Sequence, residues 1–101
     1  MSAAPSLNNN SKDLFSFYQK VGADNSMLDY AKMVILFSHQ PQYENLFDKC
    51  KIIKEKFREK YTDSDWHVII YLAYNGSCAS SYKSVFISVE YDKYIYIIYN
   101  S

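Results

Sequence analysis

The final stretch of the chain, VFISVEYDKYIYIIYN, places the strongest constraint on the fold. Its two runs of β-branched and aromatic residues contain no proline and no glycine, which is typical of neighbouring strands. Asp92 tolerates the left-handed backbone that a tight hairpin turn requires, so we predict that residues 86–90 and 94–99 form an antiparallel pair. A third run, WHVIIYLAY, begins at Trp66 and predicts a further strand.

Two amphipathic helices are predicted before these strands. Asn25 or Ser26 gives a cap signal. The residues that then recur at helical spacing are Met27, Ala31, Val34, Ile35 and Ser38. A second helix is predicted from Pro41, whose missing N–H suits a first helical turn, to about residue 60. Its apolar positions are Tyr43, Leu46, Phe47, Cys50, Ile53 and Phe57.

The order of the elements predicts the fold class. A short first strand within residues 13–21, two helices and then a run of strands indicate an α+β fold, with two helices packed on one face of an antiparallel β-sheet. In YIYIIY, alternate residues point to opposite faces, namely Tyr94, Tyr96 and Ile98 against Ile95, Ile97 and Tyr99. Neither face is polar. The second face is either covered by another copy of the chain or tolerates water through its tyrosine hydroxyls.

Composition restricts the classes of function. The chain of 101 residues has 11 basic and 11 acidic side chains, so its net charge predicts neither nucleic-acid binding nor attraction to an anionic membrane. Residues 1–12, MSAAPSLNNNSK, are small and polar and predict a flexible tail, which leaves residues 13–101 as one domain. Cys50 and Cys78 lie outside any CxxC motif, and no signal peptide or long apolar run is evident. We therefore expect a cytoplasmic protein with reduced thiols.

The segments IKEKFREKYTDSDWHVIIYLAYNGS and VFISVEYDKYIYIIYNS join a helix, a Trp-His pair and a terminal hairpin. In this order and spacing, the chain resembles the eight-kilodalton dynein light chain family. The positions that carry the resemblance are Phe57, Lys60, Tyr61, Trp66, His67, Gly76, Ser77, Phe86 and Ile87. The family's lysine near the start of the second helix corresponds to either Phe47 or Lys49.

The resemblance implies a strand-exchanged homodimer and a non-catalytic adaptor function. In the family, one strand of each subunit crosses to the sheet of the other, and two grooves accept extended peptides as added strands. The crossing strand would be residues 76–81. The implied peptide-binding residues are Tyr74, Gly76, Ser77, Cys78, Ala79, Ser80, Ser81, Phe86, Ser88 and Glu90. The implied dimer-interface residues are His67, Ser77, Ala79 and Ser81.

The resemblance also implies partners and a location. We expect a second copy of the chain, together with dynein intermediate chain or another protein that carries an extended linear motif. The expected location is the cytoplasm and the cytoskeleton, within a dynein motor complex, and no cofactor is expected. The alternative is a dedicated structural subunit with an altered groove, because Cys78, Ser88 and Glu90 replace the tyrosines that are typical of the family.

Two residues lead to more specific hypotheses. If Glu90 lines the groove, its desolvated carboxylate would favour a donor or a basic residue on the bound segment. In the family, the histidine that corresponds to His67 lies at the dimer interface, where its protonation weakens the dimer. The alternative for His67 is an ordinary strand histidine.

Three other kinds of site have weaker support in the sequence. Cys78 and His67 resemble a nucleophilic pair, but no orienting third residue or oxyanion loop accompanies them. His39, His67 and Cys50 lie in different predicted elements, so they do not form a recognised metal-ligand spacing. The aromatic sheet is compatible with stacking of single-stranded nucleic acid, but a basic groove is missing. We therefore expect no catalytic residues and no metal ligands.

Overall fold

The structure is a computed structural model that describes residues 14–73 and 81–101. Two helices, α1 (Asn25–Phe37) and α2 (Leu46–Lys60), pack on a sheet of β1 (Ser16–Val21), β2 (Trp66–Leu72), β3 (Phe86–Tyr91) and β4 (Tyr94–Asn100). The strand order is β1-β3-β4-β2, and every neighbouring pair is antiparallel. The predicted α+β class, with two helices on an antiparallel sheet, is confirmed. The predicted tail, residues 1–12, lies outside the described residues.

Helix α1 begins at a different cap from the predicted one. Asp24, rather than Asn25 or Ser26, is the N-cap residue, and its carboxylate accepts a hydrogen bond from the Met27 N–H at 2.9 Å. This bond satisfies one of the free N–H groups of the first turn. The buried side of the helix agrees with the predicted spacing and consists of Leu28, Ala31, Val34 and Ile35.

Helix α2 begins later than predicted. Pro41 starts a separate 3-10 turn (Pro41–Tyr43), and the α-helix follows it. Asn45 is the N-cap residue of α2, and its side-chain oxygen accepts a hydrogen bond from the Asp48 N–H at 2.8 Å. Proline is compatible with the first turn of either kind of helix, so the Asn45 cap decides where α2 begins.

The main core lies between the two helices and the sheet. Phe57 of α2 is fully buried, and its ring centroid lies 5.0 Å from that of Trp66 and 5.3 Å from that of Tyr30. The central strands contribute Ile87, Val89, Tyr96 and Ile98 to this core. Aromatic rings at these separations pack closely, and they place α2 against the start of β2.

The hairpin between β3 and β4 confirms the prediction made from the C-terminal sequence. Its turn consists of Asp92 and Lys93, which have φ angles of 52° and 68°. Two consecutive positive φ values match the twist of the flanking strands, and aspartate is a common residue at the first of these positions. The pairing continues without a shift from Tyr91 opposite Tyr94 to Phe86 opposite Tyr99.

The sheet carries apolar clusters on both of its faces, as the YIYIIY segment predicts. The cluster on the face opposite the helices has Phe86, Ile95 and Ile97 at its centre, and all three are buried. The partly buried residues around this centre are Ile69, Tyr71, Ala73 and Tyr99. Both described helices pack on the other face, so we call this one the open face.

Candidate functional site

Strand β2 lies at the edge of the sheet that the described residues form. Its ladder with β4 shows which backbone groups point away from this sheet. The Asp65 carbonyl accepts a hydrogen bond from the Ser101 N–H, and the Ala73 N–H donates to the Lys93 carbonyl. Hydrogen-bonded pairs alternate along an antiparallel ladder, so the odd-numbered residues of β2 bond to β4. The residues whose N–H and C=O groups point to the outer edge are therefore Trp66, Val68, Ile70 and Leu72.

The two edges of the sheet differ in how they are protected. In β1, the register shifts between Phe17 and Gln19, which is a β-bulge, and the exposed Lys20 follows it. Bulges and lysines are devices that prevent an edge from pairing with another strand. The β2 sequence, WHVIIYL, contains no lysine, acid or proline, and its register with β4 is continuous over all 7 residues. The β2 edge is therefore suited to accept another strand.

A groove lies beside this edge, between β2 and the first half of α2. Its volume is about 500 Å³. The helix side is lined by Leu46, Phe47, Cys50, Lys51 and Lys54, and the sheet side by His67, Val68, Ile69 and Tyr99. A concave, mainly apolar surface of this size next to free backbone groups is suited to an extended segment.

Phe47 is the main exposed apolar residue of the groove. The sequence pattern predicts that it lies on the apolar side of its helix, but its side chain is 70% exposed. The Lys51 ammonium lies 5.5 Å from the centre of the Phe47 ring, at a distance typical of a cation–π contact. Phe47 lies three and four positions before Cys50 and Lys51, so it shares their side of α2 and faces the groove.

His67 lines the sheet side of the groove. Its Nε2 atom lies 2.8 Å from the Ser101 hydroxyl oxygen, and its ring stacks on Tyr99 with 5.0 Å between the centroids. These contacts fix the orientation of the imidazole beside the end of β4. The interface role of His67 that the family resemblance implies stays a prediction.

Cys50 is the one cysteine among the described residues, and it is half-buried at the groove. Burial raises the pKa of its thiol, and a hydrogen bond with the backbone of Ile70 opposes this effect. A nucleophilic cysteine needs a lowered pKa, so the surroundings of Cys50 are those of a packed thiol. The Ile70 N–H thus points to the outer edge of β2 and is engaged by this thiol, so an added strand would pair with the neighbouring outward N–H groups of Val68 and Leu72. Cys78, the other cysteine of the sequence, lies outside the described residues.

The residues that the resemblance implies for peptide binding fall into three groups. Those outside the described residues are Tyr74, Gly76, Ser77, Cys78, Ala79 and Ser80, and the interface predictions for Ser77 and Ala79 lie outside them too. Ser81 is exposed and precedes β3. The last group lies on β3, pointing to the open face, and consists of Phe86, Ser88 and Glu90. Strand β4 separates this last group from β2.

Glu90 has a partner within the chain. The Tyr18 hydroxyl donates a hydrogen bond to its carboxylate, and this bond is the main reason that the pKa of Tyr18 is raised. Tyr18 lies at the bulge of β1, which turns its side chain toward the open face. The Glu90 carboxylate is thus engaged by a donor at the opposite edge of the sheet from the groove.

A buried lysine that the sequence pattern does not reveal joins the two helices. The Lys49 ammonium donates hydrogen bonds to the carbonyl oxygens of Ser38 and Tyr43, both at 2.7 Å. Ser38 is the C-cap residue of α1, so the lysine satisfies a carbonyl at that helix end. Burial lowers the pKa of Lys49. These two bonds connect the end of α1 to the 3-10 turn and so position the start of α2 at the groove.

His39 belongs to the same polar cluster. One ring nitrogen lies 2.7 Å from the hydroxyl oxygen of the buried Tyr96, and the ring packs edge-on against Tyr91. Burial is the main cause that lowers the pKa of His39, and the charge of Lys49 adds to it. Asp92, whose carboxylate lies 3.9 Å from the other ring nitrogen, opposes the shift. The neutral imidazole is therefore favoured in the folded chain.

We expect the stability of the fold to decrease on acidification below about pH 6.5 because of His39. The lowered pKa means that the folded chain takes up this proton at a lower pH than the unfolded chain, so acid shifts the equilibrium toward unfolding. Urea titrations at about pH 7.5, 6.5 and 5.5 would measure the slope of unfolding free energy against pH. The slope should diminish in His39→Gln, which can still bond Tyr96, and persist in His67→Gln. Equal slopes in the wild type and His39→Gln would contradict the assignment.

Two kinds of feature are missing from the part of the chain that the structure describes. Within residues 14–73 and 81–101, no helix combines the length and the apolar character needed to cross a membrane. Over the same residues, histidine, cysteine and acidic side chains form no group of three or more that could bind a metal ion.

Comparison with known proteins gives a structural result only. A scan against models of protein families finds no match, and a search of curated proteins finds none. Among solved structures, the chain is similar to the dynein light chain-like domain of the Fasciola hepatica calcium binding protein FhCaBP2. In a mercury derivative the TM-score is 0.69, with 14% identity over 87% of this chain and 92% of that one. In native crystals the TM-score is 0.68, with 14% identity over 86% and 90%. The chain therefore has the fold of a dynein light chain-like domain.

Proposed function

We propose that the protein is a non-catalytic, homodimeric adaptor that binds extended linear segments of other proteins by strand addition. The observation that carries this proposal is the unprotected outer edge of β2 beside an apolar groove. Each free N–H and C=O on such an edge can pair with an added strand, while the groove receives alternate side chains of that strand. The dynein light chain-like fold supports an adaptor role.

The second copy of the chain is proposed to pack against the border of the open face, whose centre is already buried, and to exchange a strand. The border of this face includes three exposed residues with large apolar parts, namely Tyr18, Val21 and Tyr82. Residues 76–81 are the proposed crossing strand, and His67, Ser77, Ala79 and Ser81 belong to the proposed interface. Two copies would carry two grooves, so a partner with two linear segments would gain affinity through effective concentration.

The fold also motivates a proposal for partners and location. Dynein intermediate chain, or another protein with an extended linear motif, is the proposed partner, and a dynein motor complex in the cytoplasm is the proposed setting. A dedicated structural subunit would differ from this adaptor in one measurable respect. It would form the dimer but would bind no extended peptide.

A proline at Val68 tests strand addition directly. The Val68 N–H points to the outer edge, so Val68→Pro removes one donor from that edge and leaves the β4 ladder intact. We expect it to weaken binding of an extended segment at least about tenfold, with only a modest change in melting temperature, because an added strand loses a hydrogen bond and meets the proline ring. Titration with a peptide selected from a random library and thermal unfolding would measure the two quantities.

The neighbouring residue provides the matched control. The Ile69 N–H bonds to β4, so Ile69→Pro should disrupt the sheet itself and strongly destabilise the fold. If Val68→Pro binds a selected peptide as tightly as the wild type, the proposed strand addition is wrong. A folded wild type that is a monomer would contradict the proposed homodimer.

A further inference from the structure

We propose that the groove beside β2 selects extended segments that carry acidic side chains at alternate positions, in an acidic-x-acidic pattern. This inference rests on the proposed peptide-binding function and adds a charge preference to it. Three observations support it: two lysines at the rim of the groove, the lack of acids in its lining, and the spacing of the lysines along α2.

The two lysines are available to a ligand. Lys51 and Lys54 are three positions apart, which places them on the same side of the helix. The ion pairs found in the described part of the chain are Lys32 with Asp29 and His39 with Asp92, and neither involves a groove lysine. The contact of Lys51 with the Phe47 ring keeps its ammonium over the groove entrance.

Two lysines and no acidic side chain line the part of the groove that the structure describes. Asp48 and Glu55 line a separate, smaller cleft on the other side of Lys51. Neither acid forms an ion pair with Lys51 among the described residues, so their carboxylate oxygens lie more than 4.0 Å from the Lys51 ammonium nitrogen. The local charge is thus positive although the net charge of the chain is zero.

Glu90 does not line the groove beside β2, so the preference for a basic ligand, which is conditional on Glu90 lining the groove, does not apply to this groove and stays a prediction. The Glu90 carboxylate accepts a hydrogen bond from the Tyr18 hydroxyl on the open face of β3, and β4 separates it from β2. The positive charges of Lys51 and Lys54 are then the ones that a bound segment meets, and acidic side chains complement them.

The spacing of the lysines defines the pattern. Three residues of α-helix advance about 4.5 Å, and the long side chains of lysine extend this reach. In an extended strand, residues on the same side repeat every two positions, at about 6.7 Å. A pair of acids at positions i and i+2 therefore faces Lys51 and Lys54 together, and an apolar residue two positions before or after the pair lies on the same side and can pack against Phe47. A nucleic acid could bind the two lysines, but it could not pair with the outward N–H and C=O groups of β2 as an added strand does.

The test is a selection from a library of random peptides of about twelve residues, using the intact wild-type chain and Lys51→Gln/Lys54→Gln as baits. The control bait is Arg58→Gln/Lys83→Gln, which has the same change in net charge at exposed positions away from the groove. The wild type and the control should enrich acidic-x-acidic peptides. The groove variant should not, and it should bind a selected peptide roughly fivefold more weakly, with a smaller dependence on salt.

Each other outcome has a distinct meaning. Peptides enriched without an acidic preference, or with a basic one, would overturn this inference and leave the adaptor proposal intact. A wild-type dimer that enriches no peptide would overturn both and indicate the dedicated subunit. Displacement of a selected peptide by a single-stranded oligonucleotide, competing at similar concentration, would show that the lysines recognise anions in general and would overturn the peptide preference.

Discussion

Replacing Phe57 by alanine is expected to reduce the free energy of unfolding by about 3–5 kcal/mol. The side chain has no exposed surface and contacts three other aromatic rings, those of Tyr30, Tyr61 and Trp66. The substitution removes this buried apolar surface and leaves a cavity that the rigid rings around it cannot fill. Chemical denaturation, followed by circular dichroism, would measure the loss.

Phe47 supplies a matched control on the same helix. The same substitution at this position removes a ring that is 70% exposed, so Phe47→Ala should change the free energy of unfolding by less than about 0.5 kcal/mol. The ring lines the groove, so the variant should instead lose affinity for a bound segment. Comparable destabilisation by the two substitutions would contradict the packing of α2 described above.

Replacing Asn100 by alanine is expected to cost about 2–4 kcal/mol, which is a large effect for a polar residue. Its side-chain oxygen accepts hydrogen bonds from the N–H groups of Ser84 at 3.0 Å and Val85 at 2.8 Å. Its side-chain nitrogen donates to the hydroxyls of Ser64 and Ser84. Alanine would leave the buried Val85 N–H without its partner. It would also loosen the segment that leads into β3, which would keep only its two backbone hydrogen bonds to residue 100.

Asn25 is the control for this substitution. It is an exposed asparagine at the first position of α1, and Asp24 provides the cap, so Asn25→Ala should be close to neutral. Urea denaturation of the two variants would compare them. Hydrogen exchange should also show faster exchange at the Val85 N–H in Asn100→Ala alone. A neutral Asn100→Ala would mean that water replaces these bonds.

Much of the fold could be predicted because the apolar residues repeat at the spacing of each strand and helix, and such repeats are local. The two-residue alternation of YIYIIY separates Tyr96 from Ile97, and the structure places these residues in the two different clusters. The spacing of Ala31, Val34 and Ile35 similarly gives the buried side of α1. Such patterns depend only on the pitch of the backbone, so they are visible without knowledge of tertiary contacts.

The polar contacts that position the helices were harder to predict from the sequence. Lys49 occupies a position in α2 at which a lysine usually extends into solvent, and its burial depends on carbonyl groups at the ends of other elements. The start of α2 depends on the side-chain bond of Asn45, which competes with the signal from Pro41. Both effects are contacts that a sequence pattern does not encode.

The candidate site was predictable only in part. The family resemblance implies strand addition, and the unprotected composition of β2 agrees with it. The groove itself unites residues near Phe47 with residues near His67, which are far apart in sequence. In KCKIIKEKFREK the lysines and acids alternate and predict a solvated surface, whereas the helix places Lys51 and Lys54 at the groove and Glu55 away from it.

The unequal protection of the two sheet edges has a consequence for the size of assemblies. Sheet growth into a filament requires that each unit present two adhesive edges, one for the preceding unit and one for the next. The bulge between Phe17 and Gln19 makes β1 a poor template, so of the two edges that the structure describes only β2 is suited to accept a strand. Sheet growth from such a chain ends after one added strand, and we therefore expect discrete particles at high concentration rather than fibres.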